Sequence, residues 1–288
     1  MKMCFSVYRP AKRNRLIIMR SGAPRQKGLM RNKTSLTYRF TCAILRMIVP
    51  RYDIKGEPLP RGEYVVVANH SQMYCPVVTE LYFPGDHYMW CTEEMMDHRK
   101  VADYTYRDFW SQKPRAVRWF FWLLSRLLKP AFVSVFSSAR LIPVYHDMRL
   151  KTTFRTTIRR LSEGSCIMIT PENKSHYNNI INDFQDRFIN IAPMYYRSSG
   201  KCLRFVPMYL APELKTMCFG KAVEYCPDRP DAEERARIRQ ELMNSITDIA
   251  LSLPLHDVVP YDNVPRKRYR KNRPLVWADD AVHTRPAD

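Results

Sequence analysis

The chain has 288 residues, 45% of them apolar, with 17 tyrosines and a formal net charge of +19. Such a length and apolar content exclude a disordered or fibrous chain and suffice for one large domain with a substantial core. The charge sits at the ends: residues 1–40 hold eleven Lys/Arg and no Asp/Glu, residues 266–273 hold six more, and the body between is close to neutral.

Residues 1–34 are basic, contain Pro10 and Pro24, and show no sustained periodicity; they read as a disordered tail. The apolar stretch Leu16-Ile17-Ile18-Met19 is too short for the core of a secretory signal. Residues 35–49 read as a helix ended by Pro50. The run Tyr64-Val65-Val66-Val67-Ala68 is a strand, continuous and β-branched, hence covered on both faces. A helix over 76–83, closed by Pro84-Gly85, and a strand over 87–91 follow.

Residues 116–129 form an amphipathic helix rich in Trp and Phe. On a helical wheel, Arg115, Arg118, Ser125, Arg126 and Lys129 fall within an arc of roughly 100°. The wide apolar remainder suits either a helix lying in a membrane interface, with basic side chains reaching the headgroups, or a core helix with a narrow exposed stripe. No run of eighteen apolar residues occurs, so no membrane-spanning helix is expected.

Strands over 140–145, 166–170, 204–210 and 216–224 and a helix over 151–161 complete the alternation. Asp228 is expected to cap a long helix with Ile238, Leu242, Ile246, Ile249 and Leu253 on one face, ended by Pro254. Residues 256–288, with Pro260, Pro265, Pro274 and Pro286, read as a second basic tail. The expected fold class is α/β, a mixed central sheet with helices on both faces. The expected domain spans 35–255, with an insertion at about 95–136, and both the N-terminal and the inserted helix lie on a membrane surface.

Cysteines stand at 4, 42, 75, 91, 166, 202, 218 and 226, with no Cys-x-x-Cys pair. This pattern predicts free thiols in a reducing compartment and no structural metal. Only eight glycines occur and no phosphate-cradling glycine loop is present, which argues against a nucleotide-dependent kinase or ATPase. The basic ends have three readings: contact with anionic lipid, contact with nucleic acid, or solvated tails. Each Lys or Arg near an anionic bilayer is worth about 1 kcal/mol. No helix-turn-helix, zinc-finger or RNA-recognition signature accompanies the charge. The expectation is a peripheral protein on the cytoplasmic face of a membrane, with anionic lipids as partners and no specific nucleic acid.

Four segments carry chemistry in order. The first is Asn69-His70-Ser71-Gln72, with Cys75 five positions after the His. The second is Arg140-Leu141-Ile142-Pro143-Val144-Tyr145-His146 and the third Thr170-Pro171-Glu172-Asn173-Lys174-Ser175. The fourth is Val206-Pro207-Met208, followed by Phe219-Gly220-Lys221. As an ordered set over residues 40–250 they resemble the motifs of the glycerolipid acyltransferase family, which acylates lysophosphatidic acid and glycerol phosphate.

The resemblance implies an O-acyltransferase. It would move an acyl chain from acyl-CoA or acyl carrier protein to a hydroxyl of a lysophospholipid or related acceptor, with no cofactor. It implies His70 as general base and Glu172 as a positioning group. Asn69 and Gln72 would orient the loop, and Arg140, His146, Asn173 and Lys174 would meet the acceptor. A His titrating near neutrality suits proton removal from a hydroxyl, and its second ring nitrogen needs a partner that fixes the tautomer.

The chain departs from the family pattern in four places. Cys75 stands where the family has Asp, Arg140 for Gly, His146 for Arg, and Ser175 for Arg. Support for His70 then has four readings: Glu80 or Glu93 reaches it, Cys75 is an ionised thiol that itself takes the acyl group, a backbone carbonyl orients the ring, or the protein binds lipid without turnover. Loss of the basic anchors points to an acceptor less strongly anionic than lysophosphatidic acid.

Overall fold

A computed structural model describes residues 35–110 and 114–273. The expected tail at 1–34 lies outside the described residues, as does the last part of the expected tail, 274–288. In chain order the helix α1 (Leu36–Ile48) leads to strands β1 (Asp53–Gly56) and β2 (Tyr64–Ala68), helix α2 (Tyr74–Tyr82) and strand β3 (His87–Thr92). Ser35 caps α1, its hydroxyl accepting from the Tyr38 N–H at 3.1 Å. Next come α3 (Val101–Thr105), α4 (Arg118–Leu127), α5 (Lys129–Ser138), β4 (Leu141–Val144), α6 (Leu150–Ser162) and β5 (Cys166–Ile169). The hairpin β6 (Glu172–His176) and β7 (Asn182–Phe184), α7 (Ile191–Ser199), β8 (Arg204–Ala211), β9 (Thr216–Phe219), β10 (Val223–Glu224) and α8 (Asp231–Ser252) follow. A last pair, β11 (Asp257–Val258) and β12 (Arg270–Lys271), lies where a tail is expected.

The main sheet runs β1-β9-β8-β2-β5-β3-β4, with β10 also paired to β8. Strands β8, β2, β5, β3 and β4 are mutually parallel, and β9 is antiparallel to β8, so the sheet is mixed as expected. All five residues of β2 are buried, because alternate side chains enter two different cores. Val65 and Val67 pack with Phe205, Tyr209 and the Ile238, Leu242 and Ile246 stripe of α8 on one face. Val66 and Ala68 pack with Cys75 and Val78 of α2 and with Met168 and Met208 on the other. Each buried Val contributes about 1.5–3 kcal/mol. Truncating Leu242 to Ala would cost about 2–5 kcal/mol.

Three expected elements differ in detail. The strand expected over 216–224 breaks after Phe219. Gly220 still donates its N–H to Pro207 O at 2.9 Å, at a point where a side chain would stand 2.6 Å from Ser245 Oγ, and pairing resumes only at Val223 opposite Phe205, shifted by one residue. The long helix begins at Asp231 rather than after an Asp228 cap; Asp228 sits in the preceding turn, and Asp231, Glu233 and Glu234 supply the first-turn negative charge. The helix expected over 116–129 becomes α4 and α5, bent by 55°. Pro130, in the first turn of α5, lacks the N–H that would continue α4. Among the described residues no single helix is long and apolar enough to cross a membrane, although the bent pair passes together by length and composition.

The boundary expected at 255 is corrected. Residues 256–273 fold back onto the domain, with Asp257 opposite Lys271 and Val258 opposite Arg270. His256 and Asn272 are buried. The Asn272 amide donates to the carbonyls of Ala250 at 2.7 Å and Leu253 at 3.2 Å, closing the end of α8. Its Oδ1 accepts from the His256 N–H at 2.9 Å. Arg266 and Lys271 are paired with Asp257 and Glu213 at the protein surface.

Candidate active site at the carboxyl edge of the sheet

The parallel strands all deliver their C-terminal ends to one edge, where open α/β sheets hold ligands. His70 follows β2 and Glu172 opens the segment after β5, and these two strands are neighbours in the sheet. The His70 N–H donates to Glu172 Oε1 at 2.6 Å, and the Asn182 N–H donates to Oε2 at 2.8 Å. Glu172 is 5% exposed. Burial pushes its carboxyl up to about 7, with the nearby Asp262 carboxylate adding to the rise and the two backbone N–H donors opposing it. It ties the first motif, the third motif and the β6–β7 hairpin together.

The loop carrying His70 is fastened from both sides. Asn69 is buried; its Oδ1 accepts from the Leu210 N–H at 2.7 Å, and its amide donates to Leu210 O at 3.1 Å and to Ser71 Oγ at 2.6 Å. It therefore stitches the end of β2 to β8 and is turned away from any acceptor. Ser71 and Gln72 have φ of 47° and 52°, consecutive left-handed positions that these bonds hold in place. The Gln72 amide donates to Asp262 O at 2.9 Å, and its Oε1 accepts from the Tyr269 hydroxyl at 3.2 Å. Tyr261 packs edge-on to the His70 ring, centroids 5.2 Å apart at 68°.

Sequence reasoning missed this returning segment with Tyr261, Asp262 and Tyr269. Val258-Val259 and the two tyrosines, apolar and aromatic residues within a basic run, were the available signal.

Several expected site residues lie elsewhere. Cys75 is fully buried in the core beneath α2, its Sγ facing Thr79 Oγ1 at 3.9 Å. Burial pushes its thiol up to about 12, so it is protonated at neutral pH and the ionised-thiol reading is corrected. Glu80 accepts the hydroxyl hydrogen bond of Tyr38 on α1. It stands six residues along from Tyr74, about 9 Å of helix rise from the His70 end of α2. Glu93 follows β3, two strands from β2, and is paired with Arg149 at 2.9 Å and Lys100 at 3.1 Å. Neither carboxylate is turned to His70.

Arg140 precedes β4 and so lies at the opposite edge of the sheet, bound to Asp86 and over the Tyr88 ring. It is separated from the His70 edge by a strand length of roughly 13 Å. His146 is on the correct edge but exposed, three strands from β2. Asn173 lies on β6, its Oδ1 accepting from the Ser175 N–H at 2.6 Å and its carbonyl accepting from the Asn182 amide at 2.8 Å across the hairpin, and Lys174 is exposed on β6. Of the expected set, only His70, Gln72 and Glu172 gather with the returning segment; Asn69 supports them from below, and Asn173 stays within the β6–β7 hairpin.

Between the β6–β7 hairpin and residues 258–270 lies a cavity of about 260 Å³, with Glu172 in its wall. Among the described residues no group of three His, Cys, Asp or Glu side chains is arranged to hold a metal ion. Glu172 and Tyr261, two side chains in contact with His70, line this cavity.

No protein-family model matches the chain, and no curated protein matches it by sequence. Among solved structures, the chain is similar to the crystal structure of the 1-acyl-sn-glycerophosphate (LPA) acyltransferase PlsC from Thermotoga maritima. The match has 12% identity and a TM-score of 0.37, and covers 69% of this chain and 72% of that one.

Proposed function

We propose that the protein is a peripheral membrane O-acyltransferase whose general base is His70. The observation that carries the reading is the union of the first and third motifs, which lie about a hundred residues apart in sequence, through the bond from the His70 backbone to Glu172. In the proposed reaction His70 takes the proton of an acceptor hydroxyl as the oxygen attacks the thioester carbonyl of acyl-CoA or acyl carrier protein. The tetrahedral intermediate collapses with loss of the thiolate, which takes up the proton, leaving an ester and a free thiol. Glu172 is a positioning residue, holding the loop rather than the proton.

The membrane part of the reading is supported by side chains left uncovered. Trp119 is 68% exposed and Leu127 equally so, Phe120, Trp122 and Leu123 are exposed beside them, and Leu36, Phe40, Met47 and Ile48 of α1 are exposed as well. Arg126 lies over the Trp122 ring at 3.8 Å, a cation on an aromatic rim. Grouped apolar exposure with basic neighbours fits the interface of an anionic bilayer, on the cytoplasmic side. The arc expected to be polar is divided: Arg126 faces out, whereas Ser125 is buried and donates to Trp122 O at 2.8 Å.

A second reading, lipid binding without turnover, is favoured by the buried neutral thiol at position 75, which cannot stabilise an imidazolium as a carboxylate does. One experiment separates the two. Purified protein is incubated with acyl-CoA and a lysophospholipid panel, and the lipids are analysed by mass. Acyl transfer that falls by about 10²–10⁴-fold in His70→Ala supports the first reading. Transfer undiminished in that variant removes His70 from the chemistry, and none in the wild type selects the second reading.

A further inference from the structure

The cysteines of the main sheet differ in what stands across from them. Cys91, Cys166 and Cys218 lie on strands opposite Pro143, His87 and Tyr209. Cys202 and Cys226 stand just before β8 and just after β10, which run antiparallel to each other. Val223 faces Phe205 and Glu224 faces Arg204. The Tyr225 N–H then donates to Leu203 O at 3.0 Å, so the ladder continues past both strands. The same register sets Cys226 opposite Cys202.

The neighbours of this pair fix how it is turned. Leu203, Phe205, Val223 and Tyr225 are all buried in the core cluster that contains the α8 stripe. Side chains alternate along a strand, so Cys202 and Cys226 both point to the other face, with Arg204 and Glu224. Both are half-buried and both are free thiols. Hydrogen-bonded and non-hydrogen-bonded pairs alternate along an antiparallel ladder, and the bond between Tyr225 and Leu203 makes Cys226 and Cys202 a non-hydrogen-bonded pair. The backbone agrees: the Cys226 N–H donates away from β8, to Glu234 Oε1 of α8 at 2.8 Å, and Pro227 has no N–H to continue the ladder. Pairs of this kind hold their Cα atoms about 4.5 Å apart, within the roughly 4.4–6.8 Å that a disulfide spans. Burial pushes the Cys202 thiol up, and negative charge at Glu224, Cys226 and Asp228 adds to the rise, so Cys202 is protonated at neutral pH.

We propose that Cys202 and Cys226 form a reversible modification site, a dithiol that a small-molecule disulfide converts to a cross-strand disulfide. The thiolate of one cysteine attacks the small disulfide, forming a mixed disulfide and releasing one small thiol. The other cysteine attacks the protein sulfur of that mixed disulfide and releases the second small thiol. Two electrons and two protons pass from the protein dithiol to the small disulfide, and one S–S bond replaces another. The bridge closes the loop 202–226, which contains β8, β9 and β10, and ties the start of β8 to the segment leading into α8. It lies at the amino edge of the sheet. Leu210, the β8 residue that fastens Asn69, is roughly 20 Å along the strand from Arg204. The bridge therefore secures the frame at a distance from His70, and it does not depend on the acyl-transfer reading.

The test is oxidation of the full folded chain by glutathione disulfide at pH 8, followed by alkylation and peptide mapping without reduction. The expected result is a linkage between Cys202 and Cys226 that dithiothreitol undoes. By closing the loop, the linkage should raise the urea midpoint by about 1 M over the reduced protein. Cys226→Ser should instead take a single glutathione on Cys202, with no rise in its midpoint.

Glutathione retained on Cys202 of the wild-type chain, a linkage of Cys202 to a different cysteine, a pair that stays reduced, or a linkage that leaves the midpoint unraised would each overturn the proposal. The mapping and the midpoint compare oxidised with reduced wild-type protein, so they decide the matter even if Cys226→Ser fails to fold.

Discussion

The two ends of the molecule's polarity can be set side by side. At the carboxyl edge of the sheet, polar side chains turn inward: Asn69, Gln72, Glu172, His256 and Asn272 each hold backbone or side-chain partners from distant segments. On the layer formed by α1, α4 and α5, apolar side chains turn outward, with Leu36, Phe40, Trp119 and Leu127 all more than half exposed. Both arrangements run against the ordinary distribution of side chains, and each has a separate physical consequence. Buried, bonded polar groups fix a loop geometry that hydrophobic packing alone would leave loose. An exposed apolar layer fixes nothing within the chain and gains its free energy only when something apolar covers it. The first region is built to hold atoms in place, the second to meet a partner.

The largest expected effect breaks the first region at its most distant support. Ending the chain at residue 255 removes His256, Tyr261, Tyr269 and Asn272. The buried Tyr209 hydroxyl, 2.9 Å from His256 Nε2, and the carbonyls of Ala250 and Leu253 would then lose their partners. Each buried polar group left unsatisfied costs about 1–3 kcal/mol, so the denaturant midpoint should fall by several kcal/mol in stability. A disposable tail would leave the midpoint unchanged, which is the result that would return residues 256–273 to the original expectation.

The next effect concerns Glu172 and pH. Its folded-state value of about 7 stands above the ordinary 4.5, so the folded protein binds this proton more tightly than the unfolded chain. The stability contributed by this group is fully present below pH 4.5 and is lost as pH rises through 7. The loss is roughly 3 kcal/mol in all. In Glu172→Gln that slope should vanish. The Gln amide would point its N–H₂ at one of the two N–H donors, so at pH 5 the variant should be less stable than wild type by about 1–3 kcal/mol. Urea unfolding at pH 5 and pH 8 of both proteins reads the difference, and identical slopes would remove Glu172 as the titrating hub.

The second region is sharpened by adding charge. Trp119→Glu with Leu127→Glu places two carboxylates on the exposed aromatic face without touching either core cluster. Binding to vesicles containing anionic lipid should fall by about tenfold or more, with the thermal midpoint unchanged. Unaltered vesicle binding would mean that this layer is not the membrane face; a lowered midpoint would mean that it is part of the fold.

How much of this was legible in the sequence follows from the range of each interaction. Strands β2, β5 and β8 are legible because continuous apolar runs have no other use in a sheet covered on both faces. Strand β1 is not, because Asp53-Ile54-Lys55-Gly56 is exposed throughout and shows no apolar alternation. Strand β6, Glu172-Asn173-Lys174-Ser175-His176, is mostly polar for the same reason. Within the site, Asn69, Gln72 and Glu172 are legible as positions. The partners of Asn69 and Gln72 are not, since these bonds run to residues 141 to 197 positions away. Local pattern has no access to such pairs, and the returning segment that supplies most of them has the composition of a tail.

The smallest effect is expected at Cys75, the residue whose identity most separates this chain from the family it resembles. Its side chain belongs to the core cluster with Val66, Met168 and Met208, and its thiol is held neutral by burial. Cys75→Ala removes one buried sulfur and should cost about 1 kcal/mol, at the lower end of buried truncations because the side chain is small. Acyl transfer, where it occurs, should be unchanged, and the native protein should resist iodoacetamide at this position until it unfolds. Cys75→Ser retains a hydroxyl opposite Thr79 and should behave alike in turnover. Loss of transfer in both variants with unfolding midpoints near wild type would bring the thiol back into the chemistry. Retention in both would leave Cys75 a packing residue, and the orientation of His70 would then rest on the fastened loop: Asn69 to β8, Gln72 to the returning segment, and the backbone bond to Glu172.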